Sequence, residues 1–342
     1  MPGFTTSNWM TDIGRRPDLE ALDVNPPIGY IGDRLYPRTP SRFAAGTLSG
    51  MTLPTYAAAQ TSRVDGVAPT TTLITNKEVS YTASEIISRY GKTAKQTMDT
   101  MDIYRCDEQG AAAAIRSMQY TLEKKRLTKL VTPIASTADN LITGTATDDI
   151  LVLVDSALEA IRLYHGVRVL VMNVAMLHKF GRSASIANFY GSAPVERTAS
   201  MIQLKNRVVT ALQQVFLLDE ILIADSSILN DAGNAPVVND NTIVAAVIPH
   251  EDEVTEFSYT LTPELGRTVV YQPYEGLKPF QVESFPNMDT RTNCYDAVTR
   301  SAVIEFNEME KRIIDCTNVK FTAAQLVDAT GSTVTTISGG TV

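Results

Sequence analysis

The sequence predicts an α+β fold built in several parts, on three observations. The first 45 residues carry prolines and glycines with neither helical nor strand periodicity, whereas residues 107–132 are an unbroken helix-tolerant run. From residue 148 amphipathic helices alternate with apolar strands, and after Pro249 the chain turns to β-like alternation.

Residues 1–45 read as an extended N-terminal arm. In "NPPIGYIGDRLYPRTP" (25–40) four prolines interleave with Ile28, Tyr30, Ile31, Leu35 and Tyr36. The prolines forbid a continuous helix and a central strand. In an isolated domain these apolar side chains would be exposed, so the expectation is that they dock on a second copy of the chain. Deleting residues 1–36 should then leave a foldable subunit that assembles poorly.

Residues 46–90 read as an extended β-hairpin loop, with β-prone "TTTLIT" and "EVSYT" flanking Asn76-Lys77 after the turn-prone "DGVAP". The helix over 107–132 would be roughly 37 Å long. Its apolar stripe Ala111, Ile115, Met118, Leu122 is resumed on a displaced line by Leu127, Leu130 and Val131, so it lies across a surface and touches two things.

The clearest helical period follows: Ile150, Leu153, Val154, Ala157, Leu158 and Ile161, with Asp148 and Asp149 able to cap the start and Gly166 placed to end it. "VRVLVM" (167–172) is then a buried strand, and Asn173 can cap a short helix through "VAMLHKF". A helix through "ASMIQLKNRVVTALQQVF" leads to the strands "EILIAD" and "NTIVAAVI". Further strands are expected in "EFSYTL", "PFQVESF", "YDAVTRSAVIEF" and "KRIIDC", before a flexible Gly, Ser and Thr tail at 326–342.

Composition narrows the function classes. Of 342 residues, 44% are hydrophobic and 20% charged, enough for a sizeable core. The net charge of −8 argues against nucleic-acid binding over the whole surface, so any such contact is local. Cys106, Cys294 and Cys316 give neither a disulfide framework nor a zinc motif, which fits a reducing compartment. The N-terminus has no signal-like apolar region, and "IVAAVI" is far short of a membrane span; cytosolic synthesis without membrane insertion is the expectation.

Reactive patterns are scarce. His165, His178 and His250 stand apart, and "HEDE" (250–253) reads as a solvated loop sooner than a divalent-metal site. "FGRSASI" lacks the second glycine of a nucleophile elbow, and no phosphate-binding glycine loop occurs. No catalytic residue, metal ligand or cofactor is assigned. In "EKKRLTK", Lys124, Lys125, Arg126 and Lys129 are either a solvated helical face or an electropositive stripe toward nucleic acid. A long chain with an arm, an excursion, a surface-crossing helix and no chemistry is built to contact copies of itself.

The order of these parts resembles the major capsid proteins of tailed bacteriophages, the Hong Kong 97-type fold. "IGDRLYPRTP" looks like the phrase by which such chains leave the arm, and "LYHGVRVLVMNVAMLHKF" and "LQQVFLLDEILIADSSI" look like helix and strand units of the axial domain. The resemblance implies an arm at 1–45, an extended loop at 46–90, a peripheral domain at 91–147 and 261–325 that includes a spine helix at 107–132, and an axial domain at 148–260. It implies a non-enzymatic subunit forming hexamers and pentamers of an icosahedral virion head around double-stranded DNA, with portal and scaffolding proteins and a cement or decoration protein as partners. Arg15 and Arg16 would join the helix cations on the inner, DNA-facing side. Covalent crosslinking is not carried over, since no motif ties Lys77 to an Asn and a Glu. Two alternatives remain: an encapsulin-like bacterial compartment shell, and a cytosolic α/β enzyme with a site near His250 and Glu251.

Overall fold

The computed structural model describes residues 16–22, 24–53, 75–93, 103–133, 140–162, 166–182, 201–250, 265–273, 278–287, 292–306 and 311–319. The N-terminal segment is more regular than its prolines suggest. It makes two helical turns, α1 (Pro17–Glu20) and α2 (Gly32–Leu35), and a strand, β1 (Arg38–Ser41). Strand β2 (Ala45–Leu53) pairs antiparallel with β3 (Thr75–Thr82) as a two-stranded sheet. Asn76 and Lys77 lie inside β3 opposite Met51 and Gly50, not at a turn, because β3 takes its partner from upstream. All of "TTTLIT" except Thr75 lies outside the described residues.

After β4 (Ser84–Thr93) comes the long helix α3 (Ile103–Val131), beginning one turn before the expected Asp107. The chain continues through β5 (Leu141–Thr143), α4 (Ile150–Ala160), β6 (Val167–Asn173), α5 (Val174–Arg182), α6 (Met201–Phe216), β7 (Glu220–Ala224) and β8 (Thr242–Ile248). It ends in β9 (Gly266–Tyr271), β10 (Gln281–Asn287), β11 (Thr292–Glu305) and β12 (Lys311–Asp315). "EFSYTL" and the tail lie outside the described residues.

Two units divide the chain. The first comprises Met1–Lys129, Asp252–Leu261 and Gly266–Asn307. Its sheet runs β1-β9-β11-β10, with β4 also on β11. Pro40 is tolerated in β1 because, among the described residues, that strand has β9 on one side alone. Ala111, Ala114, Ile115, Met118 and Leu122 of α3 pack with Ile86, Val282, Tyr295, Ala297 and Leu19, so the helical stripe read from the sequence is the one buried.

The second unit comprises Leu130–Glu251, Thr262–Leu265 and Glu308–Val342. Its sheet runs β5-β12-β8-β6-β7, parallel between β6 and β7 and antiparallel between β6 and β8. Every residue of β8 is buried, as an apolar run in a sheet interior should be. Asp149 accepts from the Leu151 amide at 3.0 Å and Asn173 from the Met176 amide at 2.8 Å, so both expected caps form. Gly166 does not cap α4, which stops at Ala160. It opens β6 at φ +145, where a Cβ would stand 2.8 Å from the Ile248 carbonyl oxygen.

Residues 140–147 and the strand "KRIID" were expected in the peripheral domain, yet β5 and β12 belong to the second unit's sheet, where Ile314 joins the core with Ile243. Strand alternation alone does not tell which sheet a segment joins.

In the same unit Cys316 is 2% exposed, and burial, aided by Asp315, raises its thiol from 9.0 to about 12. Below pH 9 both folded and unfolded chains keep that proton; above it only the unfolded chain releases it. Stability should therefore fall between pH 9 and 12 by about 1.4 kcal/mol per pH unit, and Cys316→Ala should flatten that slope in urea titrations.

Candidate assembly site

A buried carboxylate on α3 organises the N-terminal segment. Glu123, 2% exposed, accepts the Ile31 amide at 2.8 Å and the Gly32 amide at 3.0 Å, two donors that the start of α2 leaves without helical partners. Burial raises the Glu123 carboxyl, against the lowering effect of these amides and Arg126. One turn along, Arg126 is also buried; its Nη2 lies 2.7 Å from Asp33, and its Nε donates to the Thr268 hydroxyl at 2.9 Å. Thr268 in turn donates to the Tyr36 carbonyl, and the Tyr36 hydroxyl donates to Glu305 at 2.7 Å. Burial tends to raise the Asp33 carboxyl, but Arg126 and Arg38 hold it below its ordinary value.

Room at this junction is tight. A Cβ on Gly32 would fall 2.3 Å from Glu123 Oε2 and 2.5 Å from Arg126 Cδ. Gly32→Ala should cost about 1–3 kcal/mol of stability, read from the shift in urea midpoint.

These contacts correct the expected roles of several residues. Ile31, Leu35 and Tyr36 are only 8%, 0% and 0% exposed in the single chain, so their side chains are not offered to another copy. Ile28 is fully exposed, on a turn closed by the Tyr30 amide bonding the Pro27 carbonyl with Gly29 at φ +102, and Tyr30 is half-buried. Arg126 cannot face DNA, since its guanidinium is committed inside. Lys125 and Lys129 are exposed and Lys124 is half-buried; Lys125 Nζ also donates to Ser84 Oγ at 3.2 Å.

Arg15 lies outside the described residues. Arg16 is held by Asp18 at 2.7 Å and Asp107 at 3.4 Å, and both raise its pKa. Tyr295 donates a short hydrogen bond to Asp107, while the Arg16 amide bonds the Val282 carbonyl at 2.8 Å. The segment is thus tied to its own unit at both ends.

Glu123 was missed in the reading of the sequence, though Glu123, Leu127 and Leu130 recur at i, i+4 and i+7 on one face, a signal of a carboxylate turned inward. His250 is exposed and Glu251 lies outside the described residues. Among the described residues no three His, Cys, Asp or Glu side chains are placed to hold a metal, and no helix is long and apolar enough to cross a membrane.

No protein-family model matches the sequence, and no curated protein is similar to it. Solved structures do match. A phage-related protein from Bordetella bronchiseptica superposes with a TM-score of 0.62 at 12% identity, covering 90% of this chain and 98% of that one. The fold is that of this phage-related protein. The SrpI encapsulin of Synechococcus elongatus, solved as a holo complex, matches this chain with a TM-score of 0.51 at 9% identity, over 89% of this chain and 91% of that one. Coverage reaches nearly the whole of both solved chains.

Proposed function

We propose that the chain is the major subunit of a phage head, self-assembling as hexamers and pentamers into an icosahedral shell around double-stranded DNA. The observation that carries this reading is the fold shared with a phage-related protein over 90% of the chain, joined to an N-terminal segment and a two-stranded excursion. On this reading the first unit, with α3, is the peripheral domain and spine, and the second is the axial domain. Lys124, Lys125 and Lys129 are the cations turned to DNA; Arg16 and Arg126, paired within the subunit, are left out. Portal and scaffolding proteins would be partners in making the virion, and the role is structural, without catalysis.

Expression of the chain alone and with a scaffolding partner, followed by negative-stain microscopy, tests this. Closed shells, rings or tubes support it; a stable monomer or small oligomer under both conditions overturns it. The likeness to an encapsulin favours a second reading, a compartment shell with protein cargo. Particles holding a protein and no DNA would select it. Charge reversal at Lys124, Lys125 and Lys129 should lower the DNA content of particles and leave empty-shell yield unchanged.

A further inference from the structure

The strand edges of the first unit's sheet are not alike. β1 is four residues long and contains Pro40, and β10 contains Pro286, so each has a position with no N–H to offer a passing strand. β4 is ten residues long and has no proline. It pairs with β11 from Ser84 to Thr93 without a bulge, and no strand lies on its other side among the described residues. Ile86, Ser88 and Lys92 on its inner row are buried. The outer row reads Glu85, Ile87, Arg89, all exposed, with Ile87 at 54%.

That row is complementary to itself: acid, apolar, base, centred on Ile87. Two β4 strands laid antiparallel with Ile87 opposite Ile87 set each Glu85 directly across from the other copy's Arg89, on the same face, where opposite charges attract. A slip of two residues puts Arg89 across from Ile87 and loses both pairs. A parallel arrangement sets like charges together.

We propose that β4 is a two-fold contact, in which the edge strand of one copy pairs antiparallel with the same strand of a second copy about Ile87. Each charge keeps a partner in its own sheet. Arg300 Nη2 lies 2.8 Å from Glu85, and Arg89 donates to both oxygens of Asp296 at 2.8 and 2.7 Å while its guanidinium stands 4.9 Å from the Phe285 ring centre. Across the contact the order becomes Arg300, Glu85, Arg89, Asp296, alternating in sign with no like charges adjacent. A contact of this kind is isologous, the commonest in closed assemblies. It goes beyond the shell reading, which requires contacts between copies without saying which strand makes one.

Ile87→Cys with a short bismaleimide tests it, because Cys106, Cys294 and Cys316 are all buried. The full-length variant should give a covalent dimer, and Val152→Cys, 65% exposed in the other unit, should not. Adding Glu85→Arg or Arg89→Glu to Ile87→Cys turns two attractions into two repulsions, so the dimer should fall by about tenfold in each. Mixing the two double variants restores complementary charge and should restore the crosslink, which also shows that both are folded. A crosslink no stronger than that of Val152→Cys, or one indifferent to these charges, overturns the pairing. Particles without the crosslink overturn the pairing and leave the shell reading standing; the crosslink without particles does the reverse.

Discussion

A chain shortened by its first 36 residues should be recovered unfolded or insoluble, not as a folded subunit that merely fails to assemble. Leu19, Leu35 and Tyr36 are fully buried and Ile31 nearly so. Burial of each such side chain is worth about 1.5–3 kcal/mol, so four of them contribute roughly as much as the whole margin of about 5–15 kcal/mol that keeps a domain folded. Their removal also takes away Asp33 and the amides of residues 31 and 32, the partners of Arg126 and Glu123. A chain lacking only residues 1–15 keeps every one of those contacts. Expression of the two truncations, with circular dichroism and thermal melts, separates the cases; cooperative melting of the longer truncation near the temperature of the intact chain would show that the segment is dispensable for folding.

Glu123→Ala should destabilise the subunit by about 3 kcal/mol, because it leaves two amides unpaired beside a buried guanidinium. Glu123→Gln should recover most of that loss. The two amide contacts need an oxygen, which Gln supplies, and burial already disfavours the carboxylate's charge, as its raised pKa records. The sign of the pH dependence follows. A carboxyl raised by folding contributes stability that is present below its unfolded pKa and lost as pH rises through the folded one. Relative to the native chain, Glu123→Gln should therefore become more favourable as pH rises from 4 to 7 in matched urea titrations. An equal loss for Ala and Gln at all pH values would assign the effect to packing instead.

The long helix and the buried strands were legible because each carries its own period: Ile115 to Leu122 on α3, and the unbroken apolar run of β8. The caps at Asp149 and Asn173 were legible for the same local reason. The fate of Ile31, Leu35 and Tyr36 was not, since prolines report that a segment leaves helix and central strand but say nothing about whose surface receives it. Glu123 and Arg126 mark the same limit. A charged pair on a helix reads as solvated until residues about 90 positions away, the Ile31 and Gly32 amides, are seen to meet it. Sheet membership fails similarly: β12 has a clear strand pattern, and only the register with Val244 and Ile142 assigns it.

The position of β12 also governs when the subunit can fold during its synthesis. That strand lies between β5 and β8, yet Lys311–Asp315 leaves the ribosome after both of them. Until it emerges, β5 has no partner in the sheet and one side of β8 stands open. β1 waits in the same way for β9, more than 200 residues downstream. Such late, long-range closures slow folding and leave strand edges bare on the nascent chain, so ribosome-associated holding factors should protect this protein more than one whose strands pair in the order they are made.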